Sequence, residues 1–340
     1  MQLHQVLSAD LASAFLLLLA YPLTLVQGKI LSAYVLPHGG IALNPSQFQS
    51  ESKLMKQLAW KIHRAAVDVG RHIHLERPDL IFLSTPHGVA DMQRFMFYLS
   101  GRGNGSAETD SCSCPPCCYT IDTKMDGKLA YRLAQELGQE QGLNVSGLSF
   151  FGPPGESVQS AVLKWGEVIP LVFVKDLDRT KLLVMSQPSR RYDHSADMVS
   201  ELLTLGRNLY EKLNDLPQSV VVIISADLAH THDPSGPYGY SPAAAPFDSS
   251  CGHWAATLHP TYLLNHATKY VNDAKSCGYT GLVMLHGMLD AGLLSSWIPV
   301  RHVIGHPSYY GMMVASFERK PTTAVDNASY TSLLDIPSFV

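Results

Sequence analysis

Residues 219–232 read SVVVIISADLAHTH. The first half is an uncharged run rich in β-branched residues, the pattern of a strand buried on both faces. The second half turns polar at once and places Asp227, His230 and His232 just beyond that strand. Two other stretches share the form: YVLPHGG, residues 34–40, and FLSTPHG, residues 82–88, each end a strand-like run in Pro-His-Gly. Proline fixes the approach and glycine lets the chain turn sharply, so His38 and His87 also fall at strand ends. In open α/β sheets the chemistry collects at that edge.

Outward from these strands, two periodicities alternate. ILSAYVL (30–36), DLIFLST (79–85), EVIPLVFVK (167–175), KLLVMS (181–186) and YYGMMVASFE (309–318) read as strands. Residues 52–74, 128–142, 195–215, 259–276 and 280–293 carry apolar side chains at helical spacing, and Gly142 marks the end of the second. Such alternation predicts an α/β fold, three-layer α/β/α, with helices on both faces of a largely parallel or mixed central sheet. No solenoid repeat and no linker interrupts the pattern, so residues 29–319 are read as one domain and 320–340 as a flexible tail.

Hydrophobic residues make up 46% of the 340 and charged residues 16%, enough for a full core. A net charge of −4 and the lack of a Lys/Arg run argue against nucleic acid as a partner. Residues 11–28, LASAFLLLLAYPLTLVQG, are too short and too interrupted for a membrane span. We read residues 1–28 as a signal peptide cleaved before Lys29, which would send the chain to the secretory pathway; an apolar extension is the alternative. Four of the six cysteines crowd into CSCPPCC, residues 112–118, inside a Gly/Ser-rich insertion spanning 101–118. They could hold a metal or pair as disulfides, and no second ligand cluster completes a zinc pattern.

Brought to one sheet edge, His38, His87, His230 and Cys277, the last in SCGYTGLVMLHG, would offer imidazoles and a thiol. Three protein ligands with open positions make a reactive metal site, and an uncoordinated histidine beside it can move protons near neutral pH. Asp227 and Asp248 are further acids that could complete it. Bland roles suffice elsewhere: Asp227 capping backbone, His232 solvated, His286 packed on a helix, Cys251 a buried apolar residue, and His63, His72 and His74 along a helix surface. No Gly-x-Ser-x-Gly elbow, Walker loop, His-Glu-x-x-His or dinucleotide fingerprint is present.

In order and approximate spacing, LPHGG, RPDLIFLSTPHG, ISADLAHTH…PYGY…FD and CGYTGLVMLHG resemble the class III extradiol ring-cleavage dioxygenase superfamily. That superfamily takes in LigB-type catalytic subunits and Memo-like proteins, and the likeness spans residues 30–317. The resemblance implies a non-haem iron dioxygenase that opens a catechol-like aromatic diol with O2. It implies Fe(II), with Cu or Zn as alternatives, on His38 and His87, with His230 as acid/base; it also implies a possible homodimer. Where the dioxygenases carry a glutamate ligand, this chain has Cys277, as Memo-like proteins do. Trp165 stands where many relatives have histidine. These departures keep open a Memo-like metal-binding, redox or partner-binding protein with little ring cleavage.

Overall fold

The computed structural model describes residues 29–150, 152 and 159–321, so the segment read as a signal peptide and the tail from 322 lie outside the described residues. The chain runs β1 (Ile30–Leu36), α1 (Lys53–Glu76), β2 (Leu80–Thr85), β3 (Phe95–Tyr98), β4 (Arg102–Ala107) and β5 (Tyr119–Lys124). It continues through α2 (Gly127–Ala134), β6 (Val145–Leu148), β7 (Ala161–Leu163), α3 (Trp165–Val172), β8 (Lys181–Ser186), α4 (Arg191–His194) and α5 (Val199–Asn214). The last part comprises β9 (Val220–Ser225), α6 (Ala244–Thr257), α7 (Thr268–Ala274), α8 (Tyr279–Ala291), β10 (Trp297–Gly305) and β11 (Met312–Arg319).

Eight strands form one mixed sheet in the order β10-β11-β1-β9-β2-β8-β3-β6. Its centre, β1-β9-β2-β8, is parallel, while β11 and β3 join from either side antiparallel. Along β9 every second residue serves a different core. Val220, Val222 and Ile224 pack with α2, α5, α6, α7 and α8, whereas Val221 and Ile223 pack with α1 and α3. That alternation makes the three layers, and it explains why the strand sequence is apolar throughout. A second sheet, β5-β4-β7, packs into the core on the α1 and α3 side.

Three readings of the sequence need correction. EVIPLVFVK is helical over most of its length, as α3. The Glu167 carboxylate accepts the Lys164 N–H at 2.9 Å while the Glu167 N–H donates to the Lys164 carbonyl at 3.0 Å, which starts the helix, and burial of residues 166–171 gives it a strand-like composition. Second, the insertion is a structured hairpin of β4 and β5 in register from Arg102↔Lys124 to Ala107↔Tyr119, so only residues 108–118 form a loop. Third, the sharp turn read at Gly39 does not draw on glycine's conformational freedom, since its φ is −71°. A Cβ there would lie 2.2 Å from the Tyr310 ring, and one on Gly40 2.4 Å from Asp110 Oδ1. These glycines admit close neighbours rather than a special backbone conformation.

Candidate metal centre

Parallel pairing decides which side chains meet. Leu36 pairs with Ser225 and Ser84 with Ile224, so β1, β9 and β2 end level with one another. The next residues therefore converge: His38 after β1, His87 after β2, Asp227 after β9. Cys277 arrives from the opposite direction, two residues before α8. Gly278, whose added Cβ would meet Asp227 O at 2.6 Å, lets this segment lie against the end of β9. One donor atom each from His38, His87 and Cys277 lies within 4.8 Å of the others.

Neighbours set the protonation of these donors. The Ser225 hydroxyl donates to the Gly166 carbonyl and must accept from His38 Nδ1–H at 2.9 Å, which leaves Nε2 with its lone pair. That nitrogen faces Cys277 Sγ at 3.2 Å and Asp227 Oδ2 at 3.3 Å. The imidazole and the Asp227 carboxyl stand at ion-pair distance, yet burial holds His38 well below the usual histidine range and pushes Asp227 well above the carboxylate range. By themselves they form a neutral pair. Asp227 Oδ1 also accepts the His38 backbone N–H at 3.2 Å. His87, half-buried, packs edge-on to His38 with ring centroids 4.7 Å apart, and burial lowers it to about 3. Burial, reinforced by Asp227, pushes the Cys277 thiol up to about 12.

Two neutral imidazoles and a thiol, held by a hydroxyl, backbone and packing, suit a transition-metal cation, which would take Cys277 as thiolate. The donor set fits. The geometry does not choose among Fe, Cu and Zn.

His38 and His87 line a cleft of about 720 Å³, into which Asp227 and His230 also open, and Cys277 lies buried behind His38 Nε2. His230 donates Nδ1–H to the Lys275 carbonyl at 2.9 Å, so its Nε2 keeps a lone pair, and burial lowers it to about 4. Tyr310 stacks on it at 5.9 Å and 21°. Tyr238 and Tyr309 extend this aromatic wall, and Trp165 tilts over His87 at 5.2 Å on the other side. The 108–118 loop lines the cleft through residues 108–114, tied down where Tyr310 Oη donates to Asp110 at 2.7 Å.

No family model matches this chain. Protein CA_C1420 of Clostridium acetobutylicum is 24% identical over 264 residues, covering 76% of this chain and 51% of its own length. The chain thus spans about half of the curated relative it matches. The crystal structure of the uncharacterized protein JW3007 from Escherichia coli K12 is 19% identical, covers 84% of this chain and 99% of its own, and superposes with a TM-score of 0.46.

All four candidate site residues therefore gather in one place: His38, His87 and Cys277 as donors, His230 beside them. Asp227 is near them as well, but Asp248 is not among the cleft-lining residues. His232, read as solvated, is instead sheltered; it bonds Asp248 Oδ2 at 2.8 Å and stacks on His306 at 3.9 Å. Asp248 also accepts the Ala229 N–H at 2.9 Å, so it clamps both flanks of His230. His286 accepts from Trp254 Nε1 in the core, and Cys251 is wholly buried away from the cleft, as expected. Sequence reasoning missed Ser225, Glu167, Arg191, whose guanidinium donates to the Pro86 carbonyl next to His87, and most of the tyrosine wall. Two signals were visible: the Tyr309-Tyr310 pair directly before an apolar strand, and Tyr238 in PYGY.

Proposed function

We propose that the chain is a non-haem iron extradiol-type dioxygenase acting on a catechol-like aromatic diol with O2. The single observation behind this reading is His230. A metal site of two histidines and a thiolate is complete without it, yet its unprotonated Nε2 opens into the same cleft. His38, His87 and Cys277 would hold the iron, which when bound supplies a Lewis acid for the diol oxygens and an open position for O2. His230, neutral at physiological pH, accepts the proton of a substrate hydroxyl at Nε2. Its weak basicity suits a hydroxyl already acidified. Tyr310 and the Lys275 carbonyl keep that ring in one orientation, and Trp165 and Tyr309 give the cleft aromatic lining suited to an aromatic substrate.

Anaerobic Fe(II) loading followed by O2 uptake with a panel of catechols tests this directly. Wild type is expected to consume O2 and yield a ring-opened product. His230→Gln should keep its iron and lose about 10²- to 10⁴-fold in turnover. Iron-loaded wild type that leaves every catechol intact sinks the reading.

One observation favours a second reading, a metal-binding redox protein with little ring cleavage. Cys277 supplies a soft, oxidisable donor where a dioxygenase-like site would carry a carboxylate. In that case O2 uptake would proceed without ring-opened product, and Cu(I) would displace Fe(II) from the site.

A further inference from the structure

The 108–118 loop holds four sulfurs in a very small volume. Cys112 is bonded to Cys117 with Cα atoms 5.8 Å apart, and Cys114 to Cys118 with Cα atoms 4.7 Å apart. Cys117 and Cys118 are consecutive, which places the two disulfides side by side. Cys114 and Cys118 are exposed and Cys112 and Cys117 half-buried, so reagents and ions can reach them. Cys112 and Cys114 line the same cleft as His38 and His87.

The loop is also held together by bonds that owe nothing to the disulfides. The β4–β5 hairpin closes its ends through the Ala107↔Tyr119 pair. Glu108 Oε2 accepts the Cys114 N–H at 2.8 Å, Thr109 Oγ1 donates to Gln47 Oε1 at 2.9 Å, and Asp110 is bonded by Tyr310. Gln47 Nε2 points at Cys117 Sγ from 2.9 Å, an N–H donor of the kind that stabilises a thiolate. Reduction would therefore free the sulfurs without dispersing them.

We propose that this loop is a second, redox-gated metal site, which takes a thiophilic monovalent ion, Cu(I), when both disulfides are reduced and releases it at the cleft mouth when they re-form. Four crowded thiolates are soft donors, and Cu(I) is satisfied by two or three of them without the fixed tetrahedron that zinc needs. In the reduction each S–S bond takes two electrons and two protons. With a phosphine, one phosphine and one water give two thiols and one phosphine oxide per disulfide. Binding then displaces thiol protons to buffer, and copper stays Cu(I). In the reverse direction each pair of thiols exchanges with one molecule of glutathione disulfide, re-forming an S–S bond and giving two molecules of reduced glutathione. Oxidation removes the donors, so the ion leaves. Capture of that ion by His38, His87 and Cys277 rests on the metal reading of the cleft; binding by the loop does not.

The test uses the full chain with Cu(I) presented as its bicinchoninate complex, and counts bound copper and free thiols. It compares wild type, a loop variant (Cys112→Ser, Cys114→Ser, Cys117→Ser, Cys118→Ser) and a cleft variant (His38→Ala, His87→Ala, Cys277→Ala). Each is assayed oxidised and after phosphine treatment and removal of the phosphine. Reduction should add four thiols to wild type, the four now paired in the two disulfides. Wild type and the cleft variant should each gain about one equivalent of Cu(I) on reduction, and the loop variant none. Glutathione disulfide should reverse the gain. If oxidised wild type binds no copper while the reduced cleft variant does, the loop site stands and capture of the released Cu(I) by the cleft fails. If the thiol count rises but copper does not, or if the disulfides resist reduction in the folded protein, the loop is a structural clasp and the proposal is wrong.

Discussion

Cys277 is the side chain on which the chemistry of the cleft turns. Buried, and facing a lone-pair nitrogen at 3.2 Å, it remains a thiol unless a cation draws off its proton. Co(II) added to wild type should therefore give a thiolate-to-metal charge-transfer band. Cys277→Ala is expected to abolish that band and weaken Co(II) binding; an unchanged spectrum would remove Cys277 from the donor set. The two histidines should separate under mutation. His87→Ala removes a half-buried ring, so melting should shift little while stoichiometric iron binding is lost. His38→Ala should lose iron too and cost about 1–3 kcal/mol in addition, because Ser225 and Asp227 keep buried polar atoms whose partner is gone. Denaturant titration of both variants beside an iron assay checks the pair.

Helix α3 shows how one element supports the donors from behind. Glu167 on its first turn accepts from Tyr98 Oη at 2.9 Å, and Tyr98 in turn accepts the Val89 N–H at 2.7 Å, two residues past His87. Burial raises Glu167 to about 7 from an ordinary value of 4.5. The folded protein thus retains a proton that the unfolded chain releases. This group's stabilisation is complete below about pH 4.5 and is lost as pH rises through about 7. The change is about 3 kcal/mol. Glu167→Gln should flatten the stability–pH curve by that amount over this window; parallel curves for the two proteins would contradict the assignment. α3 is also where the sequence misled. Its apolar run matches a buried strand by composition, and only the Lys164–Glu167 cap, a three-dimensional fact, distinguishes them. By contrast β1, β2 and β9 were legible, because uniformly apolar strands ending in polar residues have one good home, the middle of a covered sheet. His38, His87 and His230 came with them. Ser225 and Arg191 did not, since a serine closing an apolar strand and an arginine opening a distant helix carry no local mark of a site.

On the scale of the whole molecule, the sheet is completed late. β1 takes β9 on one side and β11 on the other, pairing Val35 with both Ile224 and Ala315. The earliest strand thus depends on the last, and closing such distant contacts is slow. A chain ending at residue 305 would leave β10 without its neighbour and β1 with an open apolar edge; we expect it to aggregate. Residues 29–321 make one compact unit, and that span alone should fold and take up the same amount of metal as the full chain. Circular dichroism and metal analysis of both truncations decide the matter.

The separation of the donors along the chain has a thermodynamic consequence. His38 and Cys277 are 239 positions apart, so an unfolded chain has no means of presenting them together. An ion that binds only the folded protein shifts the folding equilibrium by mass action, adding about 2.7 kcal/mol when free metal stands at a hundred times its Kd. The melting temperature should then climb with the logarithm of free metal concentration, and His87→Ala should show no such climb. Metal supply in the surroundings would set how long each molecule survives.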